Sequence, residues 1–203
     1  MPDTPLLEVG LAGRAMPGEV ESGDLHLVAS YPGGVLVAGI DGLGHGFEAA
    51  EAARAARASL AEDPRSDLSD LFVRTHGRLA RTRGAAISLA AVSEADARLT
   101  WLGVGNVEGT LVRAEPAGRP RTESILLLGG VVGYQLPRLR PSTSTLDPGD
   151  LLVMSTDGVR AGYLDGIDTG APSQQVANGI LAGFAKSNDD ALVLVARYTG
   201  DEA

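Results

Sequence analysis

Three acidic steps stand where apolar segments of this 203-residue chain begin or end. They are Asp41-Gly42 after the apolar run 35–40, Asp157-Gly158 after the run 151–155, and Asn188-Asp189-Asp190 before the run 191–196. A carboxylate at the end of a buried strand is unfavourable unless a cation meets it. Mg²⁺ and Mn²⁺ prefer carboxylate, carbonyl and water oxygens, and a glycine lets a backbone carbonyl approach such a cation closely. The pattern therefore predicts a shared metal site.

Asp-Gly is also one of the commonest turn dipeptides, so the context of each copy decides its interpretation. The step at Asp165 lies in the polar segment 162–172 and follows no apolar strand, which is typical of a turn. His45 is the only histidine inside one of the acidic motifs, and among glycines it also fits a turn. His26 and His76 fall on a predicted strand and a predicted helix, where structural roles are expected.

Other kinds of site find less support in the sequence. Gly42, Gly44 and Gly46 precede a helical stretch, but they lack the G-x-G-x-x-G spacing, and no lysine follows them as in a P-loop. No serine lies in a G-x-S-x-G context, so an elbow-type hydrolase is not supported. The absence of cysteine excludes disulfides and cysteine-based zinc sites.

Composition narrows the class of protein further. The net charge of −9 argues against a nucleic-acid or anionic-membrane partner that binds through bulk electrostatics. A hydrophobic content of 44% with 21% charged residues is globular, and no apolar run approaches the roughly 20 residues that span a bilayer. The first residues lack a basic segment and an apolar segment of the signal-peptide kind. We expect a cytoplasmic, soluble protein with a single domain over residues 1–203.

The periodicity of apolar residues predicts strands and helices in an order typical of an α+β protein. Strands are predicted at residues 25–30, 35–40, 85–92, 98–103, 107–114, 122–128, 142–146, 151–155 and 191–198. Helices are predicted at residues 47–60, 68–81 and 174–186. The four runs between residues 85 and 128 are expected to form an antiparallel meander, and the lack of helices there argues against a doubly wound parallel sheet. We predict two packed antiparallel β-sheets flanked by α-helices.

The ordered motifs of the chain resemble the type 2C (PPM) superfamily of metal-dependent protein phosphatases. Within it they are similar to the SpoIIE-like branch and its RsbX-type phosphatases, which serve stressosomes. The motifs are Ser22-Gly23-Asp24, Asp41-Gly42-Leu43-Gly44-His45-Gly46, Arg83-Gly84-Ala85-Ala86, Val104-Gly105-Asn106-Val107, Ser155-Thr156-Asp157-Gly158 and Asp189-Asp190-Ala191. They follow the family's order and span residues 24–198, and the family's αββα sandwich agrees with the predicted layers.

The resemblance implies a role for each matching residue. Asp41 matches the aspartate that bridges two Mn²⁺ or Mg²⁺ ions, with the Gly42 carbonyl as a further ligand. Asp157 and Asp189 match the downstream ligands, and Asp24 matches the N-terminal acidic residue. Asp41 and Asp157 are the residues to which the resemblance assigns catalysis most directly. Two such ions would lower the pKa of a water molecule and orient it for in-line attack on a phosphoryl group.

Several details stay open at the level of sequence. Asp190 competes with Asp189 as the ligand in the final acidic pair. Asn106 stands where larger relatives often carry an aspartate for a third metal, so a third ion is not expected. Arg14 is a candidate for the arginine that binds the substrate phosphate, and a general-acid role for His45 is undecided.

The resemblance implies a metal-dependent serine/threonine phosphoprotein phosphatase that uses a metal-activated water. The implied partner is a phosphorylated regulatory protein, such as a STAS-domain protein of a stressosome or partner-switching module. Two alternatives are an interaction module of the same fold that has lost turnover, and a metal-dependent hydrolase of small phosphate esters. Because every expected carboxylate is retained, the sequence favours the enzyme.

Overall fold

The computed structural model describes residues 6–114 and 121–200. The strands in these ranges are β1 Leu7–Arg14, β2 Asp24–Tyr31, β3 Gly34–Gly42, β4 Ala85–Ser93, β5 Arg98–Val104, β6 Glu108–Val112, β7 Thr122–Ser124, β8 Leu127–Leu128, β9 Ser142–Thr145, β10 Leu151–Ser155 and β11 Ala191–Tyr198. The helices are α1 Gly46–Ala61, α2 Leu68–Leu79 and α3 Ser173–Phe184. None of these helices is long and apolar enough to cross a membrane.

The strands form two sheets that are antiparallel almost throughout. Sheet A has the order β1-β11-β10-β6-β7, and sheet B has the order β2-β3-β4-β5-β8, with β9 also paired to β5. Among the described strands, only the short contact between β5 and β8 is parallel. The predicted α+β class, with two packed antiparallel sheets and flanking helices, is confirmed.

Three apolar clusters separate four layers of secondary structure, and β3 shows how the sequence builds them. Leu36, Ala38 and Ile40 lie in the cluster shared with α1 and α2, on the outer face of sheet B. Val35 and Val37 lie in the cluster between the two sheets. A third cluster joins the outer face of sheet A to α3. Because both faces of β3 are buried, nearly every position in it is apolar.

Helix α1 sits close to sheet B because its buried face consists mainly of alanine. The fully or almost fully buried alanines of this face are Ala49, Ala50, Ala52, Ala53 and Ala56. At the end of β3 the approach is so close that a Cβ added to Gly42 would lie 2.1 Å from the Ala49 carbonyl oxygen. This contact fixes the direction in which the chain leaves β3, immediately after Asp41.

The predicted meander over residues 85–128 is wrong, because the chain changes sheets inside it. Strands β4 and β5 pair in sheet B, whereas β6 and β7 pair in sheet A. The run predicted at 122–128 likewise divides into β7 and β8, which belong to different sheets. Strands β9 and β10 flank a turn but also lie in different sheets. A local apolar pattern identifies such strands without showing which sheet each one joins.

Strand β1 was not predicted from the sequence. It pairs antiparallel with β11 over its full length, from Leu7 opposite Tyr198 to Arg14 opposite Ala191. Its sequence contains two glycines, which weaken the strand signal. One of them, Gly10, lies against α3, where an added Cβ would be 2.2 Å from the Ser173 carbonyl. Glycine is therefore required here by the packing of α3 on sheet A.

We predict that Gly10→Ala destabilises the protein by roughly 1–3 kcal/mol, because the new methyl group would push α3 away from β1. The matched control is Gly179→Ala, since Gly179 lies in α3 with no atom within 4 Å of an added Cβ. That change should stabilise the protein by about 0.5–1 kcal/mol through helix propensity. Urea unfolding would measure both changes, and equal stabilities for the two variants would contradict this account of the β1–α3 contact.

Candidate metal and active site

The predicted site residues meet at one end of the sandwich, where β3 and β10 end and β11 begins. Asp41 is the second-last residue of β3, Asp157 lies two residues after β10, and Asp189 lies two residues before β11. All three line one cleft of about 320 Å³. Asp41 and Asp189 are partly buried, and Asp157 is exposed. The structure therefore brings together three carboxylates that lie far apart in the sequence.

Asn106 also lines this cleft and holds Asp157 in place. Its side-chain nitrogen donates a hydrogen bond to Asp157 Oδ2 at 2.8 Å. Its hydrogen bonding also acts to lower the pKa of Asp41, although burial and the other acids outweigh this effect. Asn106, which stands where larger relatives often carry a ligand for a third metal, thus acts as a hydrogen-bond donor that orients the predicted metal ligand Asp157.

Asp24 lies behind Asp41 and is not among the residues that line the cleft. The two residues are directly opposite each other in the pairing of β2 with β3. Asp24 is buried, and its Oδ2 accepts a hydrogen bond from Thr156 Oγ1 at 2.6 Å. The same Thr156 hydroxyl accepts a hydrogen bond from the Leu192 amide at 2.9 Å. Thr156 therefore connects β2 of sheet B to β11 of sheet A directly behind the cleft.

The two aspartates of the final acidic pair have different environments. Asp190 is buried, and its carboxylate accepts hydrogen bonds from the Met16 amide at 2.7 Å and the Gly23 amide at 2.8 Å. Asp189 instead lines the cleft, with one carboxylate oxygen accepting from the Asp190 amide at 3.0 Å. Asp190 thus anchors the segments that precede β2, and Asp189 is the member of the pair that faces Asp41 and Asp157.

His45 lines the cleft immediately before α1, and its Nδ1 lies 2.7 Å from Glu19 Oε1. Arg14 is not among the residues that line the cleft, and its guanidinium donates to the Lys186 carbonyl. His76 is away from the site and accepts a hydrogen bond from the Gly133 amide at 3.0 Å. The structural interpretation of His76 agrees with this contact.

Burial and mutual repulsion dominate the electrostatics of the site. Burial and the neighbouring Asp41 raise the pKa of Asp24 to about 8. Burial and the nearby Asp157 and Asp189 raise the pKa of Asp41 to about 7. The pKa of Asp189 is also raised, first by burial and then by Asp157, although Lys186 acts to lower it. Without a cation, burial and mutual repulsion therefore make ionisation of these carboxyl groups less favourable than it is in water.

Asp150, a buried aspartate at the opposite end of β10, is paired with an arginine. Its carboxylate accepts a hydrogen bond from the Arg113 guanidinium at 2.7 Å. It also accepts hydrogen bonds from the backbone amides of Ala114 and Asp147 at 2.9 Å and 3.0 Å. In residues 6–114 and 121–200, no lysine or arginine forms an ion pair with Asp24, Asp41 or Asp157. Within these ranges the protein thus supplies a cation to Asp150 but not to Asp24, Asp41 or Asp157.

The donor set of the cleft fits a hard divalent cation. Within the described ranges, no three His, Cys, Asp or Glu side chains are grouped so that they could hold a metal ion by themselves. Mg²⁺ is usually held by one or two carboxylates while it keeps several waters, so a closed cage of side chains is not required. Asp41, Asp157 and Asp189 offer oxygen donors of this kind. Gly42, whose carbonyl is the other expected ligand, is buried and is not among the residues that line the cleft.

Several residues that shape the site have roles that the sequence does not reveal. Thr156 lies inside a recognised motif, yet the motif gives no sign that its hydroxyl binds Asp24. Leu43 and Asn188 also lie inside the acidic motifs and line the cleft, although no role was predicted for them. Met16 lines the cleft from a loop that carries no motif. Only the three-dimensional contacts of these loops reveal their position.

We predict that the cation-free protein loses stability as the pH rises from about 4 to about 8. In the unfolded chain an aspartate ionises near its ordinary pKa of about 4, whereas folding raises the pKa of Asp24 to about 8 and that of Asp41 to about 7. Between these values the folded state binds more protons, so its stability falls with rising pH.

Thermal unfolding in EDTA across this pH range would measure the effect. Asp41→Asn should flatten the pH dependence and raise the melting temperature of the cation-free protein at pH 8, because it removes one of the repelling charges. A melting temperature that rises steadily from pH 4 to pH 8 in EDTA would contradict the prediction.

Comparison with known proteins places this geometry in a family. The sequence model of the family described as Stage II sporulation protein E (SpoIIE) matches residues 31–199. A comparison with curated protein sequences gives no significant match. The family match contains Asp41, Asp157 and Asp189, the three acidic residues of the cleft.

Solved structures share the fold. One, from work on the bacterial stressosome as "a modular system that has been adapted to control secondary messenger signaling", is 30% identical, with a TM-score of 0.85 over 94% of this chain and 99% of that chain. RsbX in complex with magnesium is 19% identical, with a TM-score of 0.83 over 95% of this chain and 96% of that chain.

The PP2C phosphatase domain of SpoIIE from Bacillus subtilis is 20% identical, with a TM-score of 0.74 over 95% of this chain and 64% of that chain. The last two likenesses establish the shared fold, and the family match covers most of the sequence. The chain therefore belongs to the SpoIIE family of type 2C protein serine/threonine phosphatases.

Proposed function

We propose that residues 1–203 form one phosphatase domain that removes phosphate from phosphoserine or phosphothreonine on a regulatory protein, with Mg²⁺ or Mn²⁺ as cofactor. One observation carries this proposal: Asp41, Asp157 and Asp189 face a single open cleft, and within residues 6–114 and 121–200 none of them forms an ion pair with a lysine or arginine. Carboxylates placed in this way are suited to cations that enter from solvent together with a phosphorylated substrate.

In this proposal Asp41, Asp157 and Asp189 would hold the cations, with the Gly42 carbonyl as a further oxygen donor. Asp41 would act from the end of β3, and Asp157 and Asp189 from the β10 and β11 side of the cleft. When bound, the ions would supply positive charge for the phosphoryl group and lower the pKa of an attacking water.

The surrounding residues keep these donors in position. Asn106 holds Asp157 through its 2.8 Å hydrogen bond, and Asp190 ties the Met16 and Gly23 amides to the base of the cleft. Asp24 places a further carboxyl group directly behind Asp41 and is fixed by Thr156. Because these supporting contacts use backbone amides and neutral side chains, they leave the charge of the carboxylates uncompensated for a cation.

Two positively charged or titratable groups suit the substrate. His45 lines the cleft on the α1 side, where it could donate a proton to the departing serine oxygen while Glu19 holds its other nitrogen. Arg14, the last residue of β1, would bind the incoming phosphate after its guanidinium releases the Lys186 carbonyl. These roles belong to the proposal and would be tested by substitution of each residue.

The proposed partner is a phosphorylated STAS-domain protein of a stressosome or a similar partner-switching module. Two likenesses support this choice: the 30% identical structure concerns the bacterial stressosome, and RsbX is among the chains with the same fold. Phosphate release from candidate phosphorylated STAS-domain proteins would test the partner directly.

We expect activity to depend on divalent cations. EDTA should abolish hydrolysis of p-nitrophenyl phosphate and Mn²⁺ should restore it, because Asp41, Asp157 and Asp189 would hold the ions. Millimolar Mn²⁺ should also raise the melting temperature, since a ligand that binds only the folded state stabilises it. Full turnover in EDTA would rule out the proposed mechanism, and an unchanged melting curve in Mn²⁺ would argue against a preformed site.

We expect Asp41→Asn and Asp157→Asn to lower turnover by about two orders of magnitude or more, because each removes a charge that the cations need while it conserves shape. The matched control is Asp147→Asn, at the opposite end of β10 in an exposed turn, which should keep normal turnover. Phosphate release and circular dichroism would be measured for all three.

Near-normal turnover by Asp41→Asn would refute the assigned site. A wild-type protein that binds Mn²⁺ but releases no phosphate from any substrate would favour an interaction module of this fold. Turnover of p-nitrophenyl phosphate without any turnover of phosphoserine peptides or proteins would favour a hydrolase of small phosphate esters.

A further inference from the structure

In the described part of the chain, a helix covers only part of the outer face of sheet A. Helix α3 packs against β1 and β11, and it leaves the outer face of β6 and β7 without a helix in the described part of the chain. A groove of about 590 Å³ lies over these two strands and is closed on its other side by residues 161–165. We name it the β6–β7 groove. Its volume lies in the range of roughly 300–1,000 Å³ typical of ligand pockets.

The groove begins next to the candidate active site. Glu108, at its near end, pairs with Ser155 between β6 and β10. The Ser155 hydroxyl lies 3.0 Å from the hydroxyl of Tyr163, which forms part of the groove wall. Two residues beyond this strand pair, Asn106 and Asp157 make the hydrogen bond that borders the cleft. A chain whose phosphorylated residue enters the cleft can therefore continue directly into the groove.

The chemistry of the lining favours a segment that carries a basic side chain. Glu108 and Asp165 contribute carboxylates, and no lysine or arginine is among the described residues that line the groove. Ile125, Leu127 and Leu164 supply an apolar floor and wall. A lysine or arginine can lay its aliphatic stem along such apolar surface while its charge reaches a carboxylate.

The edge of sheet A also favours an extended polypeptide. Strand β7 is the last strand in the order of sheet A, so its outer edge pairs with no other described strand. The exposed residues Thr122 and Ser124 of β7 line the groove. Extended peptides commonly bind by adding to such an edge, where backbone hydrogen bonds give affinity and neighbouring pockets give selectivity.

We propose that the β6–β7 groove binds the segment of the phosphoprotein that flanks the phosphorylated residue, and that Glu108 selects a lysine or arginine in that segment. The inference rests on the proposed phosphatase function and adds a recognition site to it. The acidic groove attracts a cationic segment, whereas the cations in the cleft attract the phosphate. A basic phosphopeptide would thus be held at two points with opposite charges.

The test uses phosphoserine peptides that differ by one residue. In one series a single lysine is moved along the positions on each side of the phosphoserine, and in the matched series alanine replaces it. We expect the wild-type protein to show a kcat/KM about threefold to tenfold higher for the best lysine peptide than for its alanine counterpart. This preference should shrink as NaCl is added, because exposed charges are screened.

Two variants and a control separate the groove from the cleft. Glu108→Lys should abolish or reverse the lysine preference, and Ser124→Trp should weaken binding of all the peptides by filling the groove. The control is Glu51→Gln, which changes an exposed acidic residue of α1, the helix that packs against sheet B. This variant should keep the wild-type preference for lysine peptides. Turnover of p-nitrophenyl phosphate, which is too small to reach the groove, normalises each variant for the chemistry in the cleft.

Fluorescence anisotropy with labelled, unphosphorylated lysine and alanine peptides tests the groove without turnover. A protein that hydrolyses nothing but binds the lysine peptide through Glu108 would contradict the phosphatase proposal and support the groove. Equal kcat/KM for lysine and alanine peptides, or a lysine preference that survives Glu108→Lys, would overturn the inference.

Discussion

Aspartates that repel one another are packed together at one end of the sandwich, and the surrounding contacts hold them there. Asp24 and Asp41 face each other across β2 and β3, and each has a raised pKa because burial and nearby carboxylates oppose ionisation. A buried charge without a partner is costly, so such an arrangement must be held by the rest of the fold. Thr156 on Asp24 and two backbone amides on Asp190 supply part of this support.

Packing supplies the remainder of that support. Because Gly42 at the end of β3 packs closely against Ala49 of α1, the backbone beside Asp41 is held in place. The sandwich thus keeps like charges together at a rim that opens to solvent, while Asp150 at the other end of β10 is neutralised by Arg113. One strand therefore connects a neutralised end, which serves stability, with an uncompensated end, which suits cations.

The sequence predicted the parts of the site that depend on strand ends. Asp41 and Asp157 were identified because each closes an apolar run, and β10 has the predicted bounds. The choice between Asp189 and Asp190 could not be predicted, since it depends on amides of Met16 and Gly23 from the opposite end of the chain. The assignment of strands to sheets failed for a similar reason: β6 and β7 follow β5 at short intervals, as the strands of a single meander would, yet they pair in sheet A.

Order of synthesis affects the pairing between β1 and β11. This pairing joins residues separated by most of the sequence, and contacts of this kind form slowly. Among the described strands, β11 is the only partner of β1. A nascent chain that has emerged only as far as β10 carries Asp41 and Asp157 but lacks both Asp189 and β11. The full set of cleft carboxylates and the pairing of β1 therefore both wait for the same short segment of the chain.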